Sequence, residues 1–305
     1  MLSTNNNHSS NSSNSTGTPR NENATQKLIR ENVDFLIEQL EAGQSDALTA
    51  YLTAMSHFHN YSFGNILQIA RQKPDATRVA GLYAWNQLGR RVKKGEKGIQ
   101  ILAPMLGVKR KKDAEAEQDI TKQNVPVLVG FRAVYVFDVS QTEGKELPGM
   151  NGIKGEVGEH RDRLIDFITA QSIELEFNEH IAPAMGMSYG GKIVLLPGQS
   201  KAEEFSTLVH ELAHEMLHKD ERRTQTTKTV RETEAEAIAF VVSKAVGLQT
   251  GTASADYIQL YHGNASLLAE SLEVIQKASA VILAALETKP EVEEQQPTDA
   301  MAAAS

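Results

Sequence analysis

The sequence predicts an α+β protein of two domains. The chain has 305 residues, more than one hydrophobic core usually serves. A stretch with four glycines and a proline, residues 143–156, reads as a linker. Helical and strand-like spacings mix before the linker, whereas long helical segments dominate after it. We therefore expect an N-terminal α+β domain over residues 25–142 and a mostly helical domain with a small sheet over residues 157–287.

Three segments have compositions that do not favour packing. Residues 1–24 are mainly Asn, Ser and Thr, and residues 288–305 carry two prolines and a terminal Ala/Ser run. Both are expected to be disordered tails because they offer too little apolar surface to offset the entropy of ordering. Residues 109–123 are densely charged and aperiodic, which predicts an exposed insertion.

The N-terminal domain is predicted to begin with two helices. Val33 to Leu40 and Leu48 to Met55 carry apolar residues at helical spacing. Apolar, β-branched stretches then predict strands at residues 79–85, 98–104 and 125–139, the last of them a strand pair.

The C-terminal domain is predicted to be built mainly from helices. A helix is expected around residues 164–168 and short strands at 173–177 and 192–196. Three longer helical segments follow, at residues 200–218, 229–246 and 266–286.

The composition limits the chemistry and the location of the protein. Cysteine is absent, so any metal must be held by His, Asp or Glu, and a reducing compartment is favoured. No apolar run approaches the ~20 residues of a membrane-spanning helix, and no leader-like pattern is present at the start. We expect a cytoplasmic protein with no membrane partner.

The segment His210-Glu-Leu-Ala-His214 is an HExxH motif on a predicted helix. Ser200 and Glu203 form a capping-box pattern that starts this helix, so the two histidines lie one turn apart on the same face. Such a pair holds one divalent metal, and the adjacent Glu211 is placed to act as the catalytic general base. Zinc is the first expectation and manganese the alternative.

Spacing alone leaves the third metal ligand open. The candidates are Glu232, Glu234 and Glu236 on the next long helix, and His218 on the helix of the pair. His218 lies one full turn beyond His214, which favours a role as a helix C-terminal cation or as a group behind the ligands.

The two helices resemble those of the IrrE/ImmA-type metallopeptidases, through residues 210–218 and Glu234-Ala-Glu-Ala237. The resemblance implies a gluzincin-like, zinc-dependent peptidase domain whose third ligand is Glu234. The family often has Asn four residues after this Glu, where this chain has Ile238.

A strongly basic region lies in the N-terminal domain although the whole chain carries a net charge of -8. Residues 60–112 contain twelve Lys or Arg and two acidic residues. Cations interleaved with aromatic rings are what single-stranded nucleic acid binds, without sequence specificity. The candidate phosphate-binding residues are Arg90, Arg91, Lys93, Lys94 and Lys97. The candidate base-contacting residues are Tyr61, Phe63, Asn65, Tyr83 and Trp85. Burial of the rings in a core is the alternative.

Residues 25–142 resemble the N-terminal domain of the ArdC antirestriction family, through Tyr61-Ser-Phe-Gly-Asn65, the Trp85 region and Gly95-Glu-Lys-Gly98 with Ile101-Leu-Ala-Pro104. The family pairs this domain with a metallopeptidase-like domain in the same order. The resemblance implies an antirestriction protein that binds single-stranded DNA and protects incoming conjugative plasmid DNA from host restriction.

Two other functions stay open at this point. One is a regulatory metalloprotease that cleaves a repressor or host protein. The other is a primase-associated protein that coats single strands. A protein substrate or a restriction enzyme is accordingly a candidate partner beside single-stranded DNA.

Overall fold

The computed structural model describes residues 24–42, 46–108, 126–146, 157–248 and 265–287. Within them the chain is a mixture of helices and small sheets. The predicted tails, the predicted insertion and most of the predicted linker lie outside the described residues. No helix in the described ranges is long and apolar enough to cross a membrane.

Three helices open the described chain: α1 (Ala24–Glu41), α2 (Asp46–Phe58) and α3 (Phe63–Gln72). The apolar stripes predicted for the first two helices are buried, as Val33, Leu36, Leu48 and Leu52 illustrate, whereas α3 was not predicted. The first helix begins at Ala24, nine residues before the predicted stripe, and its added turns bring Ile29 against the core.

Two sheets complete the N-terminal part. Strands β1 (Val79–Gly81), β3 (Ile99–Val108) and β4 (Pro126–Asp138) form an antiparallel sheet with β4 in the centre. Strands β2 (Arg90–Val92) and β5 (Thr142–Gly144) pair as a two-stranded ribbon, so the predicted linker begins within β5.

Two strand predictions are corrected by this arrangement. The stretch 125–139 is one long strand rather than a strand pair, since β4 pairs with β1 on one side and β3 on the other. The stretch 79–85 is a strand only to Gly81, and helix α4 (Leu82–Gln87) follows. This short helix turns Trp85 into the interior, where its indole N–H donates to the Phe137 carbonyl at 2.9 Å. Burial of one large ring thus overrides the local strand preference.

The C-terminal part begins with α5 (Gly158–Ala170) and a third sheet. Strand β6 (Glu174–Phe177) pairs in parallel with β8 (Lys192–Leu195), and β7 (Gly186–Ser188) pairs antiparallel with the other side of β8. Strand β7 is therefore an edge strand of this three-stranded sheet.

Four helices follow, and three of them match the long predicted helices closely. They are α6 (Lys201–Leu217), α7 (Asp220–Gln225), α8 (Lys228–Ala245) and α9 (Ala265–Leu286). The predicted capping box starts α6: the Glu203 amide donates to Ser200 Oγ at 3.3 Å and the Ser200 amide donates to Glu203 Oε2 at 2.9 Å.

One continuous cluster of buried apolar residues runs from Val33 to Leu286. Helix α2 packs against α8, and α1 packs against α9. Polar contacts reinforce this packing: His59 Nε2 lies 3.0 Å from Glu287 Oε1. The division into domains at residues 142 and 157 stays a prediction.

Candidate metal centre and nucleic-acid interface

Helix α6 brings His210 and His214 together. Both lie on one face, their ring centroids are 4.9 Å apart, and their Nε2 atoms are separated by 3.2 Å. Two nitrogen ligands at about 2.1 Å from a tetrahedral zinc ion would be separated by roughly 3.4 Å. The pair is therefore spaced as two ligands of one ion are.

The third group at this pair is Glu232, which projects from α8. Its Oε2 lies 3.6 Å from Nε2 of His210 and 3.6 Å from Nε2 of His214. Within the described ranges, this is the one set of three His, Asp or Glu side chains whose donor atoms all lie within 4.8 Å of one another. The donor set, two imidazoles and a carboxylate, fits a divalent cation.

Glu234, the ligand that the family resemblance implies, is not brought to the histidine pair. Its Oε2 lies 2.9 Å from His218 Nε2, and its Oε1 accepts from Arg222 Nη2 and Ser271 Oγ, each at 2.7 Å. Two residues along a helix correspond to a rotation of about 200°, so Glu232 and Glu234 point to nearly opposite sides of α8. In the structure Glu232 therefore replaces Glu234 as the candidate third ligand.

The two histidines of the pair differ in pKa. Burial lowers the pKa of His210, but hydrogen bonds to Glu232 and Glu236 outweigh it and raise the pKa to about 9. Burial and the neighbouring His210 charge lower the pKa of His214 to about 4. The hydrogen bond to His210 lowers the pKa of Glu232 to about 2, against the effect of burial. At neutral pH the pair therefore carries one positive charge, on His210.

The predicted general base, Glu211, lies beside this cluster with only 7% of its surface exposed. Burial raises its pKa to about 7, with the His210 charge opposing and the Glu232 and Glu215 charges adding to the rise. It lines a cavity of about 330 Å³ together with Gly186, His210 and Glu232. A carboxylate near its pKa at neutral pH can both accept and release a proton.

Gly186 on the edge strand β7 is a site residue that the sequence did not single out. A Cβ there would lie 2.6 Å from Thr207 Cγ2 and 2.8 Å from Glu211 Cγ. The strand can approach α6 this closely only because residue 186 has no side chain.

Glu215 was missed as well, although the signal was in the sequence. His214-Glu-Met-Leu-His218 is a second HExxH that shares His214 with the first. Its carboxylate is buried and accepts from the amides of Gly190 and Gly191 at 2.7 and 2.6 Å, with Ser188 Oγ at 2.9 Å. Burial opposes the effect, but these donors hold the pKa of Glu215 below its ordinary value. Glu215 thus fastens α6 to the turn between β7 and β8.

The predicted phosphate-binding residues lie in β2 and in the loop that follows it. Arg91, Lys94 and Lys97 are exposed. Arg90 is occupied within the protein, since its guanidinium donates to Thr142 Oγ1 at 2.8 Å and to the Lys145 carbonyl at 2.7 Å. Lys93 Nζ lies 2.8 Å from the Ser140 carbonyl, although its side chain is exposed.

Three of the predicted base contacts are corrected because their side chains are buried. Trp85 is 0% exposed and Phe63 6%. The Asn65 amide is bound to the backbone of Leu102, donating to its carbonyl at 2.8 Å and accepting from its amide at 2.9 Å. Tyr61 is half-buried against the core. These residues stabilise the fold of the domain.

Other aromatic residues are exposed near the cations. Tyr83, a predicted residue, is 74% exposed. Tyr135 and Phe131 lie on the same face of β4 and are 59% and 40% exposed. A Cβ on Gly98 would lie 2.9 Å from Tyr135 Cβ, so Tyr135 packs directly beside the residue after Lys97.

Residues 26–137, which include this surface, match the family described as the N-terminal domain of anti-restriction factor ArdC. The chain therefore carries an ArdC-type N-terminal domain over these residues. The chain is also 25% identical over 260 residues to an uncharacterized protein of Bacillus anthracis. That alignment covers 73% of this chain and 44% of the relative, so the chain spans less than half of the relative's length.

Two solved structures share the ArdC-type fold. The metal-free antirestriction ArdC protein from the R388 plasmid superimposes with a TM-score of 0.53 at 20% identity, covering 85% of this chain and 97% of that chain. The Mn(II)-bound structure of the same ArdC protein gives a TM-score of 0.50 at 18% identity and covers 85% and 98%. At these identities the likeness establishes the fold.

Proposed function

We propose that this ArdC-type protein binds single-stranded DNA without sequence specificity and protects incoming conjugative plasmid DNA from restriction in the cytoplasm. The observation that carries the proposal is the exposed surface of Arg91, Lys94, Lys97 and Tyr135, which lies within the residues matched to the ArdC N-terminal domain. Exposed cations attract phosphates, and exposed rings stack with any base.

The geometry of this surface favours a single strand. Tyr135 and Phe131 project from one face of β4, and residues four apart on a strand are separated by about 13 Å. Unpaired bases can reach such rings, whereas the bases of a duplex are stacked on one another.

Two variants test the DNA proposal. Tyr135→Ala should weaken single-strand binding by about 1–3 kcal/mol through the loss of one stacking ring. The control is Tyr189→Ala, which removes a similarly exposed tyrosine from the turn between β7 and β8. Fluorescence anisotropy with a labelled oligonucleotide measures both, and equal affinities for the two variants would contradict the assignment.

The cations are tested by the salt dependence of binding. Replacing Arg91, Lys94 and Lys97 by Ala should make the slope of log K against log salt less steep by about 2, since each phosphate contact contributes ~0.7 on a single strand. Replacing the exposed Lys27, Lys201 and Lys277 provides the matched control. An unchanged slope in the variant lacking Arg91, Lys94 and Lys97 would show that single-stranded DNA does not contact these residues.

We also propose that His210, His214 and Glu232 hold one divalent cation. Two imidazoles and a carboxylate suit zinc, and the Mn(II)-bound form of the R388 ArdC protein supports manganese as the alternative. When bound, a divalent ion would act as a Lewis acid that polarises a carbonyl oxygen or acidifies water. In the protein, Glu211 lies in the same cavity and can accept or donate a proton.

A gluzincin-like metallopeptidase that cleaves a repressor, restriction enzyme or other host protein is the second candidate function. The observation in its favour is Glu211, whose pKa is raised to about 7 by burial and which faces the cavity beside Gly186. A buried acid with no catalytic task would more often be held by hydrogen bonds, as Glu215 is.

Glu211→Gln separates the two functions, because it removes the proton acceptor and leaves the three candidate ligands in place. Transfer of an unmodified plasmid is compared between restricting and non-restricting recipients. Protection that survives Glu211→Gln supports the DNA-shielding function with a structural metal. Loss of protection, with single-strand affinity and metal content unchanged, favours proteolysis.

A further inference from the structure

The space between helix α6 and strand β7 forms a cavity on each side of the histidine pair. The first cavity, of about 330 Å³, is lined by His210 and Gly186 among others. The second cavity, of about 580 Å³, is lined by His214, Lys219 and Arg223 among others. Since His210 and His214 lie next to each other, the two cavities flank the candidate metal site.

The two cavities differ in charge. Three glutamates line the first cavity: Glu211, Glu232 and Glu236. The charge of His210 offsets one of them, and no lysine or arginine of the described chain lines this cavity. The second cavity contains Lys219 and Arg223. A ligand that spans the metal site is therefore bound most favourably with its negative group in the second cavity.

Arg223 is the cation of the second cavity that is available to a ligand. Lys219 Nζ lies 2.9 Å from Glu215 Oε2, so its charge is balanced within the protein. The preceding Arg222 is bound to two glutamates of other helices. Among the described residues, no carboxylate lies within 4.0 Å of the Arg223 guanidinium, and the residue is exposed.

The charge of Arg223 also acts at the histidine pair. Burial contributes most to the lowered pKa of His214, and the positive charges of His210 and Arg223 lower it further. The guanidinium therefore lies close enough to contact a ligand bound beside His214.

The charge pattern favours a peptide over nucleic acid. A guanidinium binds a carboxylate or a phosphate through two parallel hydrogen bonds. A nucleic-acid strand has a phosphate at every nucleotide, so it would also bring negative charge against Glu232 and Glu236. A peptide can place one carboxylate at Arg223 and an uncharged or basic group at the glutamates.

The length of the second cavity limits where the acidic residue lies. The cavity follows α6 from His214 to His218, a rise of about 6 Å. An extended peptide covers this distance in about two residues.

We propose that Arg223 is a specificity-determining residue that binds the carboxylate of an Asp or Glu side chain in a peptide lying across the metal site. The acidic residue lies within about two residues of the peptide bond next to the ion. The inference rests on the metallopeptidase function given above as the second candidate, and it names the substrate class of that site.

The first test is made on the full-length protein supplied with Zn²⁺ or Mn²⁺. A library of bacterial peptides is incubated with it, and mass spectrometry identifies the sequences around each new terminus. Asp and Glu should be enriched about fivefold at one position within two residues of the cleaved bond, the upper range for an exposed ion pair.

Charge reversal decides whether Arg223 causes this preference. Arg223→Glu should enrich Lys and Arg at the same position, whereas Arg78→Glu, at an exposed arginine of the N-terminal part, should keep the wild-type preference. An acidic preference that persists in Arg223→Glu would overturn the proposal.

Binding is measured separately from cleavage on the Glu211→Gln protein. Alanine pentapeptides with blocked termini and a central Glu or Gln are titrated into ¹⁵N-labelled protein, and the amide signals of Gly190 and Gly191 in the second cavity are followed. The Glu peptide should bind about fivefold more tightly than the Gln peptide. Arg223→Ala in the same background should abolish this difference.

The outcomes separate the inference from the function on which it rests. Charge-dependent binding without cleavage by the wild type would refute the peptidase and leave the carboxylate site standing. Cleavage with no acidic preference would refute the role of Arg223 and leave the peptidase standing. Equal binding of the two pentapeptides, with a short thymidine oligonucleotide shifting the same amides only when Arg223 is present, would assign the cavity to a phosphate and refute the proposal.

Discussion

Lowering the pH from 8 to 6 should weaken divalent-metal binding by about two orders of magnitude. The pKa of His210 is raised to about 9 by Glu232 and Glu236 in spite of burial, so the ring is protonated throughout this range. A metal ion must displace that proton, because only the neutral imidazole is a ligand. His214, whose pKa is lowered to about 4, and Glu232, whose pKa is lowered to about 2, add no further proton. The measurement is made on Glu211→Gln, because the Glu211 carboxyl, whose pKa burial raises to about 7, would itself titrate in this range.

The magnitude follows from the number of protons displaced. One proton per metal ion changes the apparent affinity tenfold per pH unit, as long as the pH stays below the pKa of His210. Two pH units therefore correspond to about 100-fold, or about 2.7 kcal/mol. The sign is fixed: affinity rises with pH and levels off near pH 9.

Isothermal titration calorimetry with Zn²⁺ or Mn²⁺ measures the effect directly. Titrations at pH 7 in two buffers of different ionisation enthalpy should report about one proton released per ion. His180→Gln, which removes an exposed histidine outside the candidate ligand set, should leave both numbers unchanged. An affinity that is constant between pH 6 and 8, or no released proton, would refute the reasoning.

Two further predictions concern packing. Gly186→Ala should lower the free energy of unfolding by about 1–3 kcal/mol, because its Cβ would lie 2.6 Å from Thr207 Cγ2. Adding Thr207→Ser, which removes that methyl group, should recover part of the loss in urea denaturation, and no recovery would place the strain elsewhere. Trp85→Ala should cost about 3–5 kcal/mol, since the ring is fully buried. The exposed Tyr83→Ala should change stability by less than about 0.5 kcal/mol, and similar losses in both variants would contradict the burial of Trp85.

Helix α6 could be predicted from the sequence because its signals are local. The Ser200 and Glu203 pair starts the helix, and the spacing of His210 and His214 has a meaning on a helix whatever surrounds it. The juxtaposition of the two rings followed from that spacing alone.

The third ligand could not be predicted in this way. Nearly every residue of α8 between Thr233 and Ser243 is buried, so the apolar pattern does not indicate which side faces α6. Glu232 and Glu234 differ only in the side of the helix from which they project. The choice between them depends on how α6, α8 and α9 pack, which is a property of distant contacts.

The candidate nucleic-acid surface could likewise be predicted only in part, because its exposure depends on long-range packing. An aromatic ring near cations in the sequence can be buried or exposed, and composition does not separate Trp85 from Tyr83. Tyr135 is exposed because it lies on the outer face of β4, opposite the buried Val136. That alternation was in the sequence, but the face that packs on the helices became clear only from the sheet.

The attachment of Glu215 to the glycine turn after β7 has a consequence for the proposed metal site. The bonds to Gly190 and Gly191 join the wall of the cleft to α6 through protein atoms alone. If a chelator removed a bound metal ion, the cleft would keep its structure. Metal could then bind again without refolding of the protein. The same chain could pass between a loaded and an empty form as the supply of metal in its surroundings rises and falls.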